Sequence, residues 1–377
     1  MAEVTAGGHT RDLSELRATD AGGFGGKSAS LGELVAAGIP VPPGFALGAS
    51  AFNEFTGSTG IETTIAGAIS RVSSSDVATV ADASRAIEQA IRAAPVPVAI
   101  RDELARRHDV LAASAGEAEP PLAVRSSALG EDSEEGTYAG QQETFLWLRG
   151  VEEVCEAVRE CWASLYSTRA ISYRASRPPS HHGDPAMGVT IQLMVDAESS
   201  GVMFTCNPVS GDPSMIAINA SWGLGLAVVG GEVTPDDYLL SKVTGEVVRQ
   251  TVSSKQIEYV PGADGRGTVC VDVPPDRSDR PCLREQQLAA LLEIGKRIER
   301  HFGSHQDVEW AIARGQPLPS GLLVLQARPV TGLPERTGKP PASAMSLVMS
   351  TFGAGSGARS GSGSGAGSGA GDAEAES

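Results

Sequence analysis

Asp307-Val-Glu309-Trp and, after the loop ARGQPLPSG, Leu325-Gln326-Ala-Arg328 read as two strands of one hairpin near the end of the chain. Side chains alternate across a strand, so Asp307 and Glu309 share one face, and Gln326 and Arg328 share one face of the partner strand. If the two faces coincide, two carboxylates, an amide oxygen and a guanidinium converge. Hard oxygen ligands suit Mg²⁺, which also takes phosphate oxygens from a substrate. Arg328 would sit beside those phosphates and offset the carboxylates. A solvated hairpin face with alternating charges gives the same pattern, and the stretch alone does not choose between them.

Upstream lie further β-rich runs, GVTIQLMV, SGVMFT, MIAINAS, YLLSKV and EVVRQTV. Two amphipathic helices are predicted. Val151, Val154, Cys155, Val158, Cys161, Trp162, Leu165 and Tyr166 recur at three–four spacing, as do Leu288, Leu291, Leu292, Gly295, Ile298 and Phe302, with Gly303 as a stop. The mixture predicts an α+β fold without the strict alternation of a dinucleotide-binding domain.

Three more stretches carry chemistry. Pro121-Leu-Ala-Val-Arg125 puts Ala123 and Arg125 on the strand face opposite Leu122 and Val124. An arginine there needs an anion: a phosphate suits its planar fork, and a salt bridge to Glu131 or Asp132 serves equally. The turn Gly136-Thr-Tyr-Ala-Gly140 after it could lie over phosphates. Gly22-Gly-Phe-Gly-Gly-Lys27-Ser28, opening a helical segment, nearly matches a P-loop, but Ala21 stands at the first glycine position and no buried strand precedes it. It reads either as a phosphate-binding turn or as a plain turn before a helix. Ser221-Trp-Gly223-Leu-Gly225 is a tight turn, beside a ligand or purely structural.

Composition narrows the classes. The formal net charge is −16, which argues against nucleic-acid or anionic-membrane partners. No apolar run reaches the ~18 residues of a membrane helix, and the N-terminus does not read as a secretory signal. The five cysteines are scattered without a CxxC pair, as expected of reduced thiols in the cytoplasm. His181 and His182, in a Pro-rich loop, read as surface residues. Beyond Phe352, Gly/Ser repeats predict a flexible tail.

Eight blocks occur in one order: GGKSASLGELVAAGIPVPPGF, AVRSSALGEDSEEGTYAGQQETFL, ASLYSTRAISYR, SGVMFTCNPVSGDP, NASWGLG, VTPDDY, DVEWAI and LQARPV. Together, from about Gly22 to Val330, they resemble the nucleotide-binding region of phosphoenolpyruvate synthase, pyruvate phosphate dikinase and rifampicin phosphotransferase. The resemblance implies an ATP-grasp fold with ATP and Mg²⁺ in a cleft between two lobes. It divides the chain into 1–185 (the lobe bearing the lysine and arginine), 186–335 (the adenine and Mg²⁺ lobe), and 336–377 (linker and tail).

By the same resemblance Lys27, Arg125 and Arg328 are the catalytic cations. Glu309 and Gln326 are the metal ligands, with Asp307 beside them. Backbone within Gln192–Val195, including Met194, meets adenine, and Thr137 and Gly140 belong to the loop over the phosphates. The family commonly places Glu after its GLG, where this chain has Leu226. Relatives phosphorylate a histidine on a swivelling domain, and none of the six histidines here matches that motif. The expectation is an ATP-using subunit acting on a histidine of a partner subunit, as two-subunit phenylphosphate synthases do, for transfer to a small-molecule acceptor. A self-contained small-molecule kinase and a catalytically silent nucleotide-binding module are the alternatives.

Overall fold

The computed structural model describes residues 8–73, 76–129, 143–176 and 185–333, and helices and strands mix along them in the expected α+β manner. Thr137, Gly140, Glu131, Asp132, the His181–His182 pair and the tail lie outside the described residues.

The first sheet contains β1 (Thr10–Asp12), β2 (Gly44–Leu47), β3 (Leu122–Ala128), β4 (Thr144–Leu148) and β5 (Met187–Leu193), in the order β1-β2-β5-β3-β4. The second contains β6 (Ala197–Phe204), β7 (Met215–Trp222), β8 (Asp236–Ser241) and β9 (Val247–Thr251). A separate ribbon, β10 (Ile257–Pro261) with β11 (Thr268–Asp272), follows. The chain then returns to the second sheet as β12 (Gln306–Ala313) and β13 (Leu322–Pro329), giving the order β13-β12-β6-β7-β8-β9. Every pairing is antiparallel.

The sequence division at 185/186 assigns β5 to the second unit. In the structure β5 lies between β2 and β3, so the chain passes from one sheet to the other between Leu193 and Ala197. Met-Gly-Val-Thr-Ile-Gln-Leu is buried along nearly its whole length, which suits a strand covered on both faces.

Eight helices of eight or more residues occur among the described residues: α1 (Gly26–Ala36), α2 (Ala49–Thr59), α3 (Ile61–Ile69), α4 (Val77–Ala93), α5 (Val98–Ala115), α6 (Gly150–Ser164), α7 (Thr168–Ala175) and α8 (Glu285–Phe302). The α6 stripe buries Val154, Val158, Cys161 and Trp162, and Trp162 meets Phe55 of α2 with ring centroids 4.8 Å apart. This cluster takes in Val124, Val189 and Ile191 of the first sheet. A second core forms where Leu288, Leu291, Leu292 and Ile298 of α8 meet Met203, Ile216, Ile218 and Trp310 of the second sheet. Each large aliphatic side chain so buried contributes on the order of 2 kcal/mol of transfer free energy. The predicted stop of α8 is real: Gly303 has φ 69°.

Helix α1 joins the two sheets. Leu31 and Leu34 belong to the second core. Ser28 Oγ lies 2.7 Å from Thr190 Oγ1 of β5, and Ser30 Oγ donates to Ala327 O of β13 at 2.7 Å. On another side, the turn of the β10–β11 ribbon reaches back to the first sheet. Gly267 N–H donates to Trp147 O at 3.1 Å and Arg149 Nε to Gly265 O at 2.9 Å. The VTPDDY motif has a structural use. Asp236 is fully buried and accepts from Lys255 Nζ at 2.5 Å and from the amides of Ser253 and Cys282, so the lone pairs of the buried charge are satisfied.

Candidate functional site

The faces of the final hairpin coincide. Asp307 stands opposite Arg328 and Glu309 opposite Gln326 in the β12–β13 register. Arg328 Nε donates to Asp307 Oδ2 at 2.9 Å. The register then slips, with Trp310 opposite Val324, so Leu325 is an extra residue in β13. Such a bulge re-aims backbone beside functional sites. Here the Leu325 carbonyl accepts from Arg125 Nη1 at 2.8 Å. Period-two reasoning has no signal for a bulge, and this carbonyl is a site group that sequence reading missed.

Arg125 comes from the first sheet. Leu122 and Val124 point into the first core, while Ala123 and Arg125 face a cavity between the sheets, as the alternation predicts. Arg125 Nη2 donates to Glu309 Oε2 at 2.7 Å and to Gln326 Oε1 at 3.2 Å. The anionic partner is therefore supplied from 184 residues away along the chain.

Lys27 sits in the first turn of α1, 7% exposed, and its Nζ donates to Ser126 O at 3.0 Å, next door to Arg125. The glycine run before it is a short helix, Ala21–Phe24, and Gly25 at φ 82°. No strand leads into it, so this is a turn into a helix rather than a P-loop.

The charges act on one another. Burial alone would raise the Glu309 carboxyl, but Arg125, then Arg328 and Lys27, hold it below the ordinary carboxylate value. Asp307 goes the other way: burial pushes it up to about 6 from 3.8, against the pull of Arg328 and with a further push from Glu309. From about pH 4 to about pH 6 the folded chain thus keeps a proton on Asp307 that the unfolded chain has released, and stability falls as pH rises through that window. Asp307→Asn is expected to flatten the melting temperature against pH there, and an unchanged slope would contradict the assignment. Glu309 has the opposite sign. Its contribution is present above the ordinary carboxylate value and is lost as pH falls through its lowered folded value.

The cavity holds about 340 Å³, within the usual range for ligand sites. Its lining combines the charged Arg125, Glu143 and Glu309 with the apolar Leu146, Met194, Val195, Leu224, Ala311 and Leu325. Trp147 packs there with φ 59°, a conformation uncommon for a bulky residue and often found at ligand sites. Within Gln192–Val195, the amides of Leu193 and Met194 already donate to Pro43 O and Pro121 O at 2.8 Å each. Gln192 Nε2 donates to Pro42 O at 3.1 Å. A base meeting this stretch would use its other backbone groups. Leu226 also lines the cavity. A larger recess of about 720 Å³ lies among α2, α3 and α7, but it lacks a comparable convergence of paired charges.

Two guanidiniums, a buried ammonium, two carboxylates and an amide beside an apolar chamber suit a polyphosphate, a hard cation and an aromatic base, which is the equipment of a nucleotide-binding domain. The chain belongs to the family described as pyruvate phosphate dikinase, AMP/ATP-binding domain, which matches residues 22–347. It is 41% identical over 342 residues to a probable phosphoenolpyruvate synthase of Methanothermobacter thermautotrophicus, covering 91% of this chain and 49% of that protein. Over 338 residues it is 37% identical to a probable phosphoenolpyruvate synthase of Staphylothermus marinus, covering 84% and 40%. To the phosphoenolpyruvate synthase of Pyrococcus furiosus it is 35% identical over 360 residues, covering 86% and 44%. The chain thus spans about half or less of the length of these relatives. No helix among the described residues is long and apolar enough to cross a membrane.

Proposed function

We propose that this chain is the ATP-binding part of a phosphoenolpyruvate-synthase-like phosphotransferase of ATP-grasp type, with the nucleotide in the cleft between the two sheets. The observation that carries the reading is Arg125 of the first sheet bonded to Glu309 and Gln326 of the second, one residue from the carbonyl that holds Lys27. Family membership and relatives named phosphoenolpyruvate synthase support it.

In this reading the apolar lining of the cavity takes adenine along Gln192–Val195. Lys27, Arg125 and Arg328 take the phosphates, Arg125 by its fork and Lys27 as a point charge. Glu309 and Gln326 would hold Mg²⁺, with Asp307 alongside; the donor set, a carboxylate, an amide oxygen and a second carboxylate, fits a hard cation. Bound Mg²⁺ supplies charge neutralisation on the phosphate oxygens. The protein's own share is positioning and electrostatic stabilisation, which is most of what phosphoryl transfer needs.

The acceptor in the reading is a histidine on a swivelling domain of a partner subunit, ATP going to AMP and phosphate, and the phosphoryl group then passing to a small molecule. Five free cysteines, four of them buried, suit a cytoplasmic location. A second reading, nucleotide binding without turnover, draws on Leu226 in the cavity wall where the family commonly carries a glutamate. Purified chain incubated with ATP and Mg²⁺ separates these. AMP formed only on adding a histidine-bearing swivel domain supports the proposal. ADP formed with small acceptors alone supports a self-contained kinase, and ATP binding without turnover under every condition supports the silent module.

A further inference from the structure

Arg125 already bonds the two oxygens that the proposed function gives to a divalent cation. One nitrogen, Nη2, reaches both Glu309 Oε2 and Gln326 Oε1, at 2.7 and 3.2 Å, while Nη1 is anchored on Leu325 O at 2.8 Å. The pair is largely shielded, with the Arg125 side chain 15% and the Glu309 side chain 16% exposed. Breaking such a contact without replacing it leaves a poorly solvated charge, so each member exchanges partners rather than drifting into water.

The surrounding charge points the same way. Lys27, Arg125 and Arg328 all act on this region, against the carboxylates Asp307 and Glu309. A bare metal ion approaching Glu309 meets the repulsion of these three cations, offset in part by the carboxylates, Glu143 on the cavity wall among them. Removing Arg125 takes away the nearest of these charges and frees both oxygens together.

We infer that Arg125 is a cation surrogate, a latch between the two sheets that keeps Glu309 and Gln326 from a metal ion until phosphate oxygens give its guanidinium another partner. The inference rests on the proposed function and adds a binding order: cation and nucleotide enter together, and the cation alone binds weakly because Arg125 competes with it. A residue that only bound phosphate would behave differently. Its loss would weaken nucleotide binding and leave metal binding unimproved.

The test is Mn²⁺ binding without nucleotide, measured on the full chain by electron paramagnetic resonance of free Mn²⁺ or by calorimetry. The proteins are wild type, Arg125→Ala, Arg125→Met and the double variant Arg125→Ala/Glu309→Gln, each checked by thermal melt. Arg125→Met fills the vacated space and guards against collapse at the cavity. Both single variants are expected to bind Mn²⁺ about tenfold tighter than wild type or better, from the removal of one nearby positive charge. The double variant is expected to fall back to the weak wild-type level. Equal or weaker Mn²⁺ affinity in both Arg125 single variants, including none detectable in any protein, overturns the latch. Failure of the underlying reading looks different: Mn²⁺ with a non-hydrolysable ATP analogue would bind wild type and Glu309→Gln alike.

Discussion

Glu309→Gln is expected to lose Mg²⁺-dependent ATP binding by about a hundredfold or more, with the fold intact, because an amide lacks the charge that a hard cation requires. The substitution preserves shape. Its amide oxygen can still accept from Arg125 Nη2, and the bond from Nη1 to Leu325 O is untouched. Arg125→Ala is the complementary case and should lose nucleotide affinity to a similar degree, since the other guanidinium of the site, Arg328, is held on Asp307 Oδ2 and does not replace the Arg125 fork. Calorimetric titration with ATP and Mg²⁺ reads both variants without needing a phosphoryl acceptor. If both bind as wild type does, the cleft between the sheets is not the nucleotide site.

Gly25→Ala is the second large effect. Gly25 has φ 82° and ψ 159°, a region essentially reserved for glycine. A Cβ there would stand 2.0 Å from Ser127 O and 2.2 Å from Ser127 Oγ. Backbone so close cannot yield without moving the start of α1 away from β3. That movement would draw Lys27 off the Ser126 carbonyl and weaken the Ser28 amide bond to Ser127 Oγ, now 3.2 Å long. A destabilisation of about 3 kcal/mol or more is expected, visible as a fall of several degrees in melting temperature, together with weaker ATP binding in whatever fraction stays folded. A Gly25→Ala protein with unchanged melting and affinity would show that the glycine is not what sets the lysine.

The parts of the molecule legible in the sequence are those set by local periodicity. The 3.6-residue stripe of α6 and the glycine stop of α8 appear where spacing puts them. Period two places Asp307, Glu309, Gln326 and Arg328 on one shared face, and it turns Arg125 away from the Leu122–Val124 core. Less legible is anything decided by pairing across the chain. Nothing local tells a buried strand such as Met187–Leu193 which sheet it joins; that depends on β2 and β3, far away in sequence. The Leu325 bulge adds one residue to a ladder and shifts its parity, so a regular alternation passes over it. The partner of Arg125 was open between a phosphate and nearby acids, whereas the bond found runs to Glu309 on the other sheet. Trp147, packed with Val195, Leu224 and Ala311, carries no motif at all, because what sets it apart is a backbone angle.

The most direct measurement is a crystal structure of the chain with Mg²⁺ and a non-hydrolysable ATP analogue. Adenine against Met194 and Leu224, with the triphosphate reaching Lys27 and Arg125 and the metal on Glu309, is the expected result. A nucleotide bound elsewhere, with Arg125 still on Glu309 and Gln326, would contradict it.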